Sequence, residues 1–178
     1  MRINRLARIA LMVAATGALS FLRIPLPFTP VPITGQTLGT MLAGLLLGPG
    51  DGAVSQVVYV LLGVAGLPLF GGLAGPGVLM GPTGGYLVGL IGGAWVTGSI
   101  AGGRTAALPV FAGCFFGGIV AVYVPGALWL SLVTGMGVSA AFVAGVVPYI
   151  PGDLVKILAA YMMANRLAFL REGPMRNR

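Results

Sequence analysis

A chain of 178 residues that is 57% hydrophobic and 7% charged, with a mean hydropathy of +1.01, is built for a lipid environment, since soluble domains carry roughly 25% charged residues. Its formal charge of +7 does not mark a nucleic-acid binder, because the arginines gather at segment ends and form no basic stripe with interleaved aromatics. No histidine is present and the single lysine lies outside any Walker A context, which excludes Ser-His-Asp catalysis, histidine metal sites and a phosphate-binding loop.

The only acidic residues are Asp51, Asp153 and Glu172, so a catalytic carboxylate pair is not expected, and the chain reads as neither an enzyme nor the holder of a cofactor or metal. Cys114 is the lone cysteine, lies in an apolar run and has no intrachain partner.

The first apolar run, Ile9 to Leu22, follows Arg2, Arg5 and Arg8. A secretory signal would look similar, with Ala18-Leu19-Ser20 as a cleavage site, but an integral membrane protein needs a first span and the run is read as one. Arg23 then opens a segment in which Pro25, Pro27, Pro30 and Pro32 forbid helix and predict a stiff, extended loop. Gln36 to Gly48 is the second expected helix, closed by Gly48-Pro49-Gly50, and Ala53 to Gly66 the third. Both fall short of a ~30 Å hydrocarbon core, as helices bordering a protein-lined cavity do. Leu67 to Gly85 is apolar but too broken by proline and glycine for a helix, so it is expected as a buried lid over that cavity.

A fourth helix is expected over Tyr86 to Ala101, with Gly102-Gly103-Arg104 as the turn after it. A fifth spans Ala106 to Val124 and ends at Pro125. Val138 to Val147 makes a short helical approach, and Pro148 to Gly152 launches a sixth helix, Asp153 to Leu170. The expected fold is thus one all-α membrane domain over residues 1–178, with about six transmembrane helices and Pro/Gly-rich outward loops. With six spans, both termini share a side with Arg104 and the seven terminal arginines, and the positive-inside rule makes that side cytoplasmic. Arg23 and the two long loops then face outward.

Residues 105–152 carry no charge, and Asp153 and Lys156 follow immediately at the head of the sixth helix. An ionisable group at membrane depth costs about 2.5–3.5 kcal/mol on insertion scales, so such a pair marks a functional site. Two plainer readings stand beside this: Asp153 as an acidic N-cap, and Lys156 as its i,i+3 partner cancelling the charge. A pair serving stability alone is poor design, since buried ion pairs seldom improve on apolar replacements. One carboxylate and one ammonium on a cavity wall suit a ligand with N–H donors and an anionic group. Thr34 and Gln36 at the outward end of helix two, and Thr83 and Tyr86 at the start of helix four, are further candidate lining residues. For Gln36 the alternative is helix capping, and for Tyr86 an interfacial aromatic. Ala10, Ala14 and Ala18 lie four apart and form a smooth face, suited to internal packing or to a partner subunit.

The run from Pro27 to Gly39, PFTPVPITGQTLG, resembles the start of BioY proteins, the biotin-specific S components of energy-coupling-factor (ECF) transporters. Gly44 to Pro49 (GLLLGP), Gly66 to Phe70 (GLPLF), Gly81 to Tyr86 (GPTGGY) and Pro151 to Lys156 (PGDLVK) continue the likeness in order. The resemblance implies the ECF S-component fold with an outward-facing vitamin site in a prokaryotic cell membrane. It implies biotin as ligand, a membrane-embedded coupling subunit (T component) and two ABC ATPases as partners. It maps substrate contacts onto Asp153 and Lys156 and the coupling surface onto Ala10, Ala14 and Ala18. Biotin suits the site, with ureido N–H groups for an aspartate or glutamine and a valerate carboxylate for Lys156, although the residues leave open which group meets which end. An S component for another vitamin, or a stand-alone membrane binding protein without transport, are the alternatives.

Overall fold

The computed structural model describes residues 4–167. Helix α1 (Arg5–Ser20) starts four residues before the apolar run because Asn4 caps it, its side chain accepting from the Ala7 N–H at 2.8 Å. The proline segment is extended as expected: β1 (Arg23–Ile24) pairs antiparallel with β2 (Ile33–Thr34), and all four prolines lie in the loop between them.

Helix α2 (Gln36–Val64) is bent back on itself at Gly48, whose φ of 78° a side chain would resist. The arms 36–47 and 49–64 run antiparallel, ~18 and ~24 Å long at about 1.5 Å per residue. Gln36 bonds Tyr59 at 2.7 Å, Thr40 bonds Gln56 at 3.3 Å, and Gly52 meets the Ala43 carbonyl near the turn. These arms are the expected second and third helices. Gln56 also donates to Thr16 of α1 at 3.2 Å, so a fully buried polar cluster ties α1 to both arms. At the turn, Arg5 donates to Asp51 at 2.6 Å.

The expected lid, Leu67 to Gly85, is not buried as its apolar composition suggested: only Phe70, Gly84 and Gly85 within it are buried, and Leu67, Leu73 and Met80 are exposed. It contains one element that its composition hid, the five-residue α3 (Pro76–Met80), with proline at its first position, where a missing N–H costs nothing. Helix α4 (Gly84–Ala101) is central, packed against both α2 and α6. Gly98 lies on the Gly48-Pro49 backbone, and Gly85 and Gly89 lie on the carbonyls of Pro125 and Val122. A Cβ at Gly117 would stand 2.0 Å from Thr97 Oγ1, so glycines here set the approach of backbones.

The fifth helix does not end at Pro125. Helix α5 (Ala107–Gly113), a π-helical stretch (Cys114–Val120) and α6 (Ala121–Thr134) form one run through the proline. The π stretch, in which the Ala121 N–H reaches back to Phe116, adjusts the hydrogen-bond register just before the residue that cannot donate. Helix α7 (Val138–Gly145) and a 3₁₀ turn (Val147–Tyr149) lead into α8 (Ile150–Arg166). That last helix begins three residues earlier than expected, because Pro151 fits its first turn. Its expected end at Leu170 lies outside the described residues, as do Arg2, Arg171, Glu172, Arg176 and Arg178.

Four stretches are long and apolar enough to cross a membrane: Gln36–Val64, Gly84–Ala101, Ala107–Thr134 and Val138–Arg166. Folding the first in two and adding α1 gives six helical legs, as a six-pass chain requires. The surface is inverted relative to a soluble protein. Leu6, Leu108, Leu132 and Val155 are 76%, 81%, 77% and 68% exposed, while Gln56, Thr97 and Asp153 are fully buried.

Candidate substrate-binding site

The legs leave a cavity at the end of the bundle where β1 and β2 cross, away from Arg5, Asp51 and Arg104. It measures about 480 Å³ including its mouth. Its apolar side is aromatic. Tyr86 and Tyr123 meet edge to face with centroids 5.9 Å apart, and Tyr123 and Tyr149 are likewise 5.9 Å apart. All three hydroxyls are engaged elsewhere: Tyr86 donates to the Gly145 carbonyl at 2.9 Å, Tyr149 to the Val31 carbonyl at 2.5 Å and Tyr123 to Asp153. What faces the cavity is therefore ring surface, completed by Val31, Leu87, Leu90 and Val122.

The opposite wall is polar and carries Thr34, Gln36, Thr37, Thr83 and Lys156. The Gln36 amide oxygen accepts from Thr34 at 2.9 Å and its nitrogen donates to Tyr59 at 2.7 Å, which leaves one amide N–H unspent. Its side chain does not cap α2. The Thr83 side chain caps nothing, although it stands at the N-cap of α4. Tyr86 lines the cavity from the first turn of α4 and is 8% exposed, so it is not an interfacial aromatic.

Asp153 lies behind this wall. It is fully buried, absent from the cavity lining, and does not cap α8. Its Oδ1 accepts from Lys156 at 2.7 Å and from Thr37 at 3.0 Å, and its Oδ2 accepts from Tyr123. Three donors from three helices thus fix the carboxylate in place. Lys156 is 16% exposed in its side chain and donates in addition to the Thr34 carbonyl at 2.7 Å and Thr37 Oγ1 at 3.0 Å. All three of its donors are thereby used. The pair knits α8 to the start of α2 and to α6, and presents only the lysine to the cavity.

Three contributors escaped the sequence reading. Tyr123 and Tyr149 are two of five tyrosines with no distinguishing motif, and Thr37 sits in an apolar run. The one signal for Tyr149 was its place between Pro148 and Pro151, four residues before Asp153. On α1, Ala10, Ala14 and Ala18 are all exposed on the bundle's outside, so they do not serve internal packing.

A helical bundle with a half-aromatic, half-polar cavity at one end and a charged pair folded into its wall has the architecture of a membrane-embedded binding component. A model of the BioY family matches residues 1–172, and the chain belongs to that family. It is 40% identical over 166 residues to the biotin transporter BioY of Rhizobium etli, covering 88% of each chain. To that of Rhodobacter capsulatus it is 39% identical over 181 residues, covering 94% of each. Its structure superposes with a TM-score of 0.84 on the crystal structure of the S-component for biotin from an ECF-type ABC transporter, at 30% identity and covering 95% of this chain and 92% of that one.

Proposed function

We propose that the protein captures biotin in this cavity from the outer side of a prokaryotic cell membrane, as the substrate-binding subunit of an ECF-type transporter. In this reading a membrane coupling subunit and two ABC ATPases supply transport, and both termini are cytoplasmic. The supporting observation is the pairing of walls: aromatic ring surface on one side, and on the other Thr34, Gln36, Thr83 and the cavity-facing Lys156. Biotin has matching halves, since its thiophane ring and alkyl chain want apolar contact and its ureido group wants donors and acceptors. Asp153 acts through Lys156, Thr37 and Tyr123 as a positioning residue rather than by touching ligand. The orientation is supported by Arg5, Arg8, Arg104 and Arg166 at the end opposite the cavity, with Arg23 the one arginine beside it among the described residues. The coupling surface is the exposed Ala10/Ala14/Ala18 face, whose methyl groups admit close backbone approach.

Equilibrium binding of labelled biotin to the purified, detergent-solubilised protein tests this reading. Saturable binding displaced by biotin but not by riboflavin or thiamine is expected. Displacement by another vitamin at lower concentration than biotin, or no saturable binding, would contradict it.

A further inference from the structure

The biotin reading leaves one end of the ligand unmatched. Biotin is an anion at neutral pH, yet the Asp153–Lys156 pair is neutral as a unit and every Lys156 donor is satisfied within the protein. A carboxylate placed against Lys156 would have to break one of those bonds. An uncommitted cation is needed, and Arg23 is the other basic residue at the cavity end among the described residues. Among the described residues its guanidinium has no hydrogen bond or ion pair.

Three observations place it beside the cavity. Arg23 stands directly opposite Thr34 in the β1–β2 ladder, so the two side chains share a face, and Thr34 lines the cavity. The arginine also lines a recess of about 310 Å³ with Phe70, Leu73 and Val78 of the lid, and that recess shares Pro32, Thr34, Gln36, Thr83 and Leu87 with the main cavity. Its stem passes close over Gly71, where an added Cβ would come within 3.2 Å of Arg23 Cδ. Gly71 has a φ of 65° and its N–H donates to Ser20 Oγ at 3.0 Å, so the backbone under the arginine is anchored to the end of α1.

Resting on the biotin reading, we infer that Arg23 is the carboxylate-binding residue, and that biotin lies with its ring system among the tyrosines and its valerate running under the lid to the guanidinium. A planar guanidinium matches a carboxylate with two parallel hydrogen bonds, which an ammonium does not. The residue then selects for the free acid over neutral derivatives.

Affinities of biotin and of biotinamide, which lacks the negative charge, measured side by side on wild type, Arg23→Gln, Arg23→Lys and Lys156→Gln, test the assignment. Wild type is expected to prefer the acid. Arg23→Gln should weaken biotin about 10- to 100-fold, as loss of charge-assisted hydrogen bonds does, and leave biotinamide within a few-fold. Arg23→Lys should keep part of the preference, which carries the test if the glutamine variant does not fold. Lys156→Gln should weaken acid and amide alike. Equal binding of acid and amide by wild type, equal losses in Arg23→Gln, or an acid-selective loss in Lys156→Gln overturns the assignment while leaving biotin binding intact. Failure of wild type to bind biotin at all overturns the functional reading itself.

Discussion

Asp153 and Lys156 illustrate how an ion pair is accommodated in the interior of a membrane bundle. The carboxylate has three donors and the ammonium three acceptors, drawn from α8, α6 and the β2–α2 junction, so neither group is left unpaired in the apolar interior. Removing one partner strands the other. Lys156→Ala is expected to destabilise the protein by about 3–5 kcal/mol and to weaken biotin binding, because Asp153 remains as an uncompensated buried charge. Asp153→Asn should weaken binding by about 1–3 kcal/mol even though the residue does not touch the cavity, by releasing Lys156 and Tyr123 from their positions. The double change Asp153→Asn/Lys156→Gln should cost less stability than the two single losses added together, since no charge is then stranded. Thermal unfolding in detergent alongside biotin titration reads both quantities. Additive losses would mean that the two residues act independently, contrary to the 2.7 Å contact between them.

At the scale of elements, α1 presents two distinct faces. Its inner face, with Met12, Val13, Thr16 and Ser20 buried, packs on the arms of α2, and its outer face carries Ala10, Ala14 and Ala18. Replacing Ala10 and Ala14 with arginine is therefore expected to abolish ATP-driven biotin uptake in cells supplying the coupling subunit and ATPases, while the isolated protein binds biotin within a few-fold of wild type. Uptake that persists would remove α1 as the docking surface, and lost binding would show that the face matters to the fold. The alanine spacing and the two arms of α2 were legible from sequence because small residues and Gly48-Pro49-Gly50 act locally. The end of the fifth helix was not legible. Pro125 forbids an ordinary α-helical bond, and only the π stretch before it and the glycine contacts of α4, both properties of the packed bundle, allow the helix to continue. The head of α8 was missed by three residues for a related reason, since Pro151 ends one helix as readily as it begins another.

At the scale of the whole molecule, six helical legs place a cavity at one end and arginines at the other, an arrangement consistent with the proposed capture on one side and coupling on the other. Composition and charge spacing disclosed this layout, because membrane depth penalises every misplaced charge. Part of the candidate site was also legible: Thr34, Gln36, Thr83, Tyr86 and Lys156, named from their places at helix ends, all line the cavity. The aromatic wall was not, because Tyr123 and Tyr149 come together with Tyr86 only when α6, the 3₁₀ turn and α4 pack. Nor could spacing alone tell that Asp153 would turn away from the cavity. The central claim, a biotin cavity open to the outside, is tested most directly by Thr83→Cys in a Cys114→Ala background, labelled in intact cells with a membrane-impermeant maleimide. Labelling from outside that saturating biotin suppresses is expected. Labelling unaffected by biotin, or seen only after the membrane is opened, would contradict the account.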